Sequence, residues 1–132
     1  MRSPVLGARN LISVIDDDED IREAITSLIE SLGFTVEAFP SALDFLRSPN
    51  VRDALCLIAD VHMPVMTGLE LYQSLRGLGV TIPTILITGY PDDHIRSLAL
   101  NQGVVCYLSK PIDQDALLGC VDLAVQRSEA GD

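Results

Sequence analysis

The chain has 132 residues, the size of one domain that can bury a hydrophobic core without a metal or a disulfide framework. Apolar residues make up 48% of it, which excludes intrinsic disorder. Nineteen acidic residues against nine basic ones give a net charge of −10, which repels the phosphates of nucleic acids and anionic lipids. No apolar run approaches the roughly 20 residues that cross a bilayer. We therefore expect a globular domain that binds neither nucleic acid nor a membrane directly.

The cysteines predict the redox state of the chain. Cys56, Cys106 and Cys120 lack the spacing of metal ligands. The first ten residues lack the apolar core of a signal peptide. An odd cysteine count without a signal peptide favours reduced, unpaired thiols in a cytoplasmic protein, where they would serve as small buried apolar residues.

Short apolar runs alternate with segments of helical period along the chain. Five runs are typical of strands: 11–15, 34–39, 54–59, 84–88 and 105–108. Apolar residues three and four apart predict five helices, near 21–32, 41–46, 68–78, 92–103 and 113–127. Glu37 places the second strand near an edge of the sheet. The inner side of the fourth helix is expected to carry Ile95, Leu98 and Ala99.

Strict alternation of strands and helices determines the expected fold. Nearly all-apolar strands joined by helices predict a doubly wound α/β domain, a five-stranded parallel sheet with helices on both faces. The domain is expected to span residues 11–127. Residues 1–10 are predicted to be an N-terminal tail, and the polar residues 128–132 a tail or the start of a linker.

Polar side chains lie at the carboxyl ends of four of the five predicted strands. Asp16 and Asp17 follow the first strand, Asp60 the third and Lys110 the fifth, and Thr88 ends the fourth. In an open parallel sheet, ligands bind beyond the carboxyl ends of the strands, so these side chains should meet at one rim. Clustered carboxylates repel one another unless a cation joins them. An open, all-oxygen cluster suits Mg²⁺, and a lysine beside it suits a phosphoryl group.

Four short motifs carry a resemblance to a known family. They are IDDD at 15–18, DVHMP at 60–64 with Gly68 four residues on, ITG at 87–89 and SKP at 109–111. Together, in this order and each at a strand end, they resemble the receiver domain of bacterial response regulators, from about residue 11 to 127. The wording is most similar to receivers of nitrogen-fixation-type regulators. The resemblance implies a flavodoxin-like strand order, 2-1-3-4-5.

The resemblance assigns a role to each rim residue. Asp60 would be the phosphoacceptor and Asp17 the principal Mg²⁺ ligand. Asp16 would assist, directly or through water, and the backbone carbonyl of His62 would complete the metal shell. Lys110 would pair with the phosphoryl group, through a peptide bond to the following proline that is commonly cis in the family.

A second group of residues would report phosphorylation. Thr88 and Tyr107 match the switch positions, where the hydroxyl moves toward the phosphoryl group and the ring turns inward. The backbone of Gly89 would also contact the phosphoryl group. The fourth helix, fifth strand and fifth helix would form the output face. Implied partners are a sensor histidine kinase or phosphotransfer protein, a downstream protein or fused output domain, and a homodimer that depends on phosphorylation.

Two other functions share this pattern of residues. A pseudo-receiver would bind proteins without phosphorylation, but such modules usually lose an acid, the lysine or the hydroxyl, and all are present here. A Mg²⁺-dependent phosphohydrolase with an aspartate nucleophile could use the acids at 16–18, but it would leave Asp60 without a role. We therefore expect a receiver that assists its own phosphotransfer and dephosphorylation and is not an independent enzyme.

Two simpler interpretations concern the acidic run itself. An EF-hand loop starting at Asp16 would need Gly at its sixth position and Glu at its twelfth, where the chain has Ile21 and Ser27. That excludes an EF-hand. The acids at 18–20 are instead expected to stabilise the positive end of the first helix dipole.

Overall fold

The computed structural model describes residues 10–130, except for the side chain of residue 130. The predicted tail at 1–10 therefore lies outside the described residues apart from Asn10, as do the last two residues of the C-terminal tail. The strands are β1 Leu11–Ile15, β2 Thr35–Phe39, β3 Cys56–Asp60, β4 Thr84–Thr88 and β5 Cys106–Ser109. The helices are α1 Glu19–Ser31, α2 Ala42–Leu46, α3 Gly68–Gly77, α4 Asp93–Gln102 and α5 Gln114–Ala130.

The five strands form one parallel sheet in the order β2-β1-β3-β4-β5. This confirms the predicted doubly wound fold, with β2 at an edge. The residues of β4 agree with the prediction, whereas β3 begins at Cys56 rather than at Ala54 and includes Asp60. Ala54 and Leu55 are buried but precede the residues of β3 that pair with β1. Their apolar side chains therefore predicted a longer strand than the backbone pairing gives. Similarly, α5 continues to Ala130, so residues 128–130 belong to a helix.

Each face of the sheet carries its own hydrophobic core. Alternate strand residues point to opposite faces, so Leu57 packs in one core and Ile58 in the other. The Leu57 side holds buried residues of α2, α3 and α4. The Ile58 side holds those of α1 and α5. Among the described residues, no helix is long and apolar enough to cross a membrane.

Local capping explains where the helices begin. The Asp18 side chain accepts hydrogen bonds from the backbone N–H groups of Asp20 and Ile21 and caps α1, which confirms the simpler interpretation of the acidic run. Thr67 and Glu70 form a reciprocal capping box at α3. Asp92 caps α4, which ends at Gly103 in the left-handed conformation.

The prediction of three unpaired thiols is wrong for two of them. Cys106 in β5 and Cys120 in α5 form a disulfide. Cys56 is free, and complete burial raises the pKa of its thiol well above the usual range. The pairing had no signature in the cysteine spacing, because it depends on how α5 lies over β5.

Candidate functional site

Three carboxylates converge at the carboxyl ends of β1 and β3. One oxygen from each of Asp16, Asp17 and Asp60 lies within 4.8 Å of the other two. The convergence follows from the sheet, since Ile15 of β1 pairs with Ala59 of the adjacent β3 and the acids follow directly. Asp16 and Asp60 are buried, whereas Asp17 is exposed.

Lys110 joins this cluster from the end of β5. Its Nζ lies 3.2 Å from Asp60 Oδ2 and 3.2 Å from Asp16 Oδ2. The contact with Asp60 is an aligned hydrogen bond, and the contact with Asp16 is an ion pair without that alignment. The peptide bond from Lys110 to Pro111 is cis, as the resemblance implied. One ammonium therefore bridges two buried carboxylates from different strands.

Backbone N–H groups orient the buried carboxylates. Asp16 Oδ1 accepts from the N–H of Asp18 at 2.8 Å, and Asp60 Oδ1 accepts from the N–H of His62 at 3.2 Å. In each carboxylate, the other oxygen faces Lys110. Both loops thus turn directly after a strand, and each turn fixes the direction of its acid.

The charges at the site shift two pKa values. Burial is the main cause that raises the pKa of Asp60, and the nearby Asp16 raises it further. Lys110 and the His62 N–H oppose that shift but do not cancel it. Burial alone would lower the pKa of Lys110, but Asp16, and then Asp60, raise it above its usual range. The cluster thus holds more negative charge than one lysine balances.

The donor set fits a hard divalent cation. The ligand atoms are all oxygens, and Asp16 Oδ2 is a buried oxygen that accepts no hydrogen bond. Exposed Asp17 leaves one side of the cluster open, as Mg²⁺ requires when it keeps waters and binds a phosphate beside carboxylates. A pocket of about 390 Å³ opens there, lined by Asp17, Asp18, Asp60, His62, Gly89, Tyr90 and Lys110. Gly89 and His62 both line this pocket. The backbone of His62 contacts the site through its N–H, which donates to Asp60, and its predicted role as a carbonyl ligand stays a prediction.

Thr88 and Tyr107 occupy different surroundings. Thr88 is buried at the end of β4, and its Oγ1 accepts from the N–H of Tyr90 at 2.9 Å. Tyr107 is half-buried, and its hydroxyl oxygen accepts from the N–H of Asp92 at 3.2 Å. Thr88 therefore lies on the strand next to β3, and its backbone carbonyl accepts from the N–H of Lys110 at 2.7 Å. Tyr107 instead contacts the residue that caps α4.

Gly68 brings α3 against the loop that follows β3. A Cβ at this position would collide with the backbone carbonyl oxygen of Asp60 and would lie 3.1 Å from the Leu86 side chain. The Gly68 N–H also donates to the carbonyl of Val61 at 3.0 Å. Only a glycine allows this approach, which explains its place after the DVHMP motif.

One contact beside the site and one backbone feature outside its pocket were missed from the sequence. The rings of His62 and Tyr90 meet edge to face with their centroids 5.6 Å apart, beside the pocket. Each residue lies two positions after a rim residue, Asp60 or Thr88, which is the signal that could have indicated the pair. Val65, 87% exposed, has a φ of +73°, a conformation that is rare for a β-branched residue.

Comparison with known proteins identifies the family of this domain. The family model for the response regulator receiver domain matches residues 12–122. The chain belongs to that family. Among curated relatives, it is similar to the response regulator protein TodT of Pseudomonas putida, with 40% identity over 126 residues. That match covers 92% of this chain and 56% of TodT.

Another curated relative and two solved structures agree with this assignment. The transcriptional regulatory protein FixJ of Azorhizobium caulinodans is 36% identical over 117 residues, covering 89% of this chain and 56% of FixJ. The structure of response regulator StyR matches with a TM-score of 0.84 and 33% identity, covering 93% of this chain and 62% of that one. A structure titled FixJ-N matches with a TM-score of 0.78 and 30% identity, over 88% of this chain and 93% of that one. The receiver thus spans about half the length of these curated relatives.

Proposed function

We propose that this receiver accepts a phosphoryl group on Asp60 from the phosphohistidine of a sensor kinase or phosphotransfer protein. The observation that carries the proposal is the placement of Asp60. Its buried carboxylate meets Lys110 at 3.2 Å and shares a cluster with Asp16 and Asp17 beside an open pocket. Of these three acids, Asp60 is the one at the end of the central strand of the sheet.

The chemistry follows from this arrangement. An oxygen of the Asp60 carboxylate attacks phosphorus, the bond from phosphorus to the histidine nitrogen breaks, and an acyl phosphate forms. Lys110 stabilises charge on the phosphoryl oxygens during transfer. Asp17, Asp16 and Asp60 would hold Mg²⁺, with the His62 carbonyl as a further ligand. When bound, Mg²⁺ offsets the negative charge of the carboxylates and of the incoming phosphoryl group.

The switch depends on contacts that phosphorylation changes. The Thr88 hydroxyl, now an acceptor for the Tyr90 N–H, would turn to donate to the phosphoryl group, and the Gly89 backbone would contact the same group. Tyr107 would leave its contact with Asp92 and turn inward. These changes bias two states of the α4–β5–α5 face, which is the surface proposed to signal.

We propose that the protein carries out this function in the cytoplasm. The acyl phosphate serves as a signal rather than as a step in turnover of a separate substrate. The proposed output is a downstream protein or a fused domain, with a homodimer that depends on phosphorylation as a further form. The longer relatives support a fused output domain, since TodT extends well beyond the matched region.

One experiment tests the phosphoacceptor directly. The chain is incubated with Mg²⁺ and acetyl phosphate, and its intact mass is measured. Wild type and the exposed-acid control Asp53→Asn should gain one phosphoryl group, and Asp60→Asn should gain none. Stoichiometric labelling of Asp60→Asn would contradict the assignment. An unlabelled wild type would indicate a pseudo-receiver, and steady hydrolysis of a phosphomonoester would indicate a phosphohydrolase.

A thermal experiment tests the metal site. Mg²⁺ at about ten times its dissociation constant should stabilise the assembled site by about 1.4 kcal/mol, or about 3–8 °C in Tm. Asp17→Asn removes one repelling charge, so it should raise the metal-free Tm and reduce the Mg²⁺ response sharply. Asp20→Asn, outside the cluster, should keep the full response. An unchanged Mg²⁺ shift in Asp17→Asn would show that this carboxylate is not a ligand.

A further inference from the structure

The disulfide between Cys106 and Cys120 ties β5 to α5. The two Cα atoms are 6.2 Å apart, within the range of about 4.4–6.8 Å that disulfides usually span. Both elements belong to the α4–β5–α5 face. A covalent bond therefore joins two parts of the surface on which the receiver is proposed to signal.

The third cysteine provides a contrast within the same core. Cys56 packs in the apolar cluster that contains Cys120, and its thiol is fully buried with a raised pKa. Cys106 is partly exposed, whereas Cys120 is 7% exposed and Cys56 is fully buried. Since the thiolate is the reacting form and needs access, we expect thiol exchange to begin at Cys106, with Cys120 as its bonded partner, and not at Cys56.

The bond lies on the strand that connects the acid cluster to α4. Cys106 immediately precedes Tyr107, whose hydroxyl contacts the backbone of Asp92 at the start of α4. The same strand leads at its other end to Lys110, which bridges Asp16 and Asp60. Cys106 therefore adjoins the segment from Tyr107 to Lys110 that links these two contacts, and its bond to Cys120 ties one end of that segment to α5.

We propose that Cys106 and Cys120 form a reversible thiol–disulfide pair that controls how strongly phosphorylation changes the α4–β5–α5 face. The oxidised form holds β5 against α5 and restrains the response, and the reduced form responds fully. The coupling rests on the proposed phosphoacceptor function. The thiol chemistry itself does not.

Oxidised glutathione serves as a defined oxidant for this chemistry. The Cys106 thiolate attacks one glutathione sulfur, the glutathione S–S bond breaks, and one reduced glutathione leaves. The Cys120 thiolate then attacks the Cys106 sulfur of the mixed disulfide and releases the second glutathione. The two protein thiols lose two electrons and two protons. The glutathione disulfide gains the electrons, and its two thiolates take up the protons.

The first test counts thiols and does not involve phosphorylation. The chain is equilibrated in glutathione buffers that range from reducing to oxidising, and the reaction is quenched with acid. Free thiols are then alkylated, and the intact mass of the protein is measured. Two thiols should become protected together as the buffer is made more oxidising, both in wild type and in the control Cys56→Ala. Cys120→Ala should lose this paired protection and form a glutathione adduct instead. No paired loss of thiols in wild type, or an unchanged pattern in Cys120→Ala, would overturn the proposal.

The second test measures the coupling in wild type, so it does not depend on whether a cysteine variant folds. Amide hydrogen exchange of residues 93–109 is compared before and after acetyl phosphate and Mg²⁺, in the reduced and the oxidised protein. The change on phosphorylation should be severalfold larger in the reduced protein, and equal changes would overturn the coupling. Intact mass separates the two proposals. Without a phosphoryl group in either redox form, the proposed function and the coupling both fail, while the thiol count still tests the redox pair.

Discussion

Helices α3 and α4 have the same length and lie on the same face of the sheet, but they are attached differently. Each has ten residues. α3 buries five residues: Gly68, Leu69, Leu71, Tyr72 and Leu75. Within Asp93–Gln102, only Ala99 is buried. α3 is thus anchored by apolar packing along its length, and α4 is not.

Polar contacts at its two ends hold α4 in place. At its start, the Asp92 N–H donates to the Tyr107 hydroxyl. At its end, the Tyr72 hydroxyl donates to the Gln102 carbonyl at 2.9 Å, and Arg76 donates to the same carbonyl. A hydrogen bond near the surface can be replaced by a hydrogen bond to water at a small cost in free energy. Exposing buried apolar area to water costs much more. Under the proposed function, we therefore expect α4 rather than α3 to shift when Asp60 is phosphorylated.

The largest expected difference between α3 and α4 is the loss of stability when a leucine in each helix is replaced by alanine. Leu75 in α3 is 1% exposed and Leu98 in α4 is 39% exposed. Leu75→Ala should lower the free energy of unfolding by about 2–5 kcal/mol because it removes buried apolar contacts. Leu98→Ala should lower it by about 1 kcal/mol or less. Urea unfolding of both variants makes the measurement, and equal losses would contradict the comparison.

Glycines near the ends of the two helices give the next contrast. Gly103 after α4 has a φ of +111°, and a Cβ there would lie 2.8 Å from the Tyr72 hydroxyl oxygen. Gly103→Ala should therefore cost about 1–3 kcal/mol of stability. Gly77 ends α3 with open space around it, so Gly77→Ala should be neutral or stabilise by about 0.5–1 kcal/mol. Thermal melting checks both signs, and a loss in both variants would show that the positive φ is not what distinguishes Gly103.

The smallest expected effect concerns the contact at the start of α4. Tyr107→Phe removes the acceptor for the Asp92 N–H and should cost about 0.5 kcal/mol, since the bond is exposed. Amide exchange should become faster at the start of α4 and stay unchanged in α3. Tyr90→Phe, with a largely exposed ring, is the matched control. Faster exchange in both helices would mean that Tyr107 stabilises the whole face rather than α4.

Much of the fold and of the acidic rim was predictable because strands and their ends are determined by residues that are neighbours in the sequence. A short apolar run predicted β4 with its correct bounds, and strand-end polar residues predicted that Asp16, Asp17, Asp60 and Lys110 would meet. The depth of burial was not predictable in the same way. Helical period placed Leu98 on the inner side of α4 without revealing that α4 lies shallowly on the sheet.

Long-range contacts were the other part that sequence reasoning missed. Cys106 and Cys120 are 14 residues apart, and only the register of α5 over β5 brings them together. The His62–Tyr90 contact likewise joins loops after two different strands. Pairings of this kind depend on the final packing of elements, whereas strand ends depend on residues next to each other.

Site-resolved amide hydrogen exchange with and without acetyl phosphate, in Mg²⁺ and under reducing conditions, tests the central claim that phosphorylation of Asp60 shifts α4. In wild type, exchange should change in α4 and β5 while the amides of α3 keep their protection. In Asp60→Asn, the same additions should change neither helix. A change that is equal in α3 and α4, or one that persists in Asp60→Asn, would contradict the account.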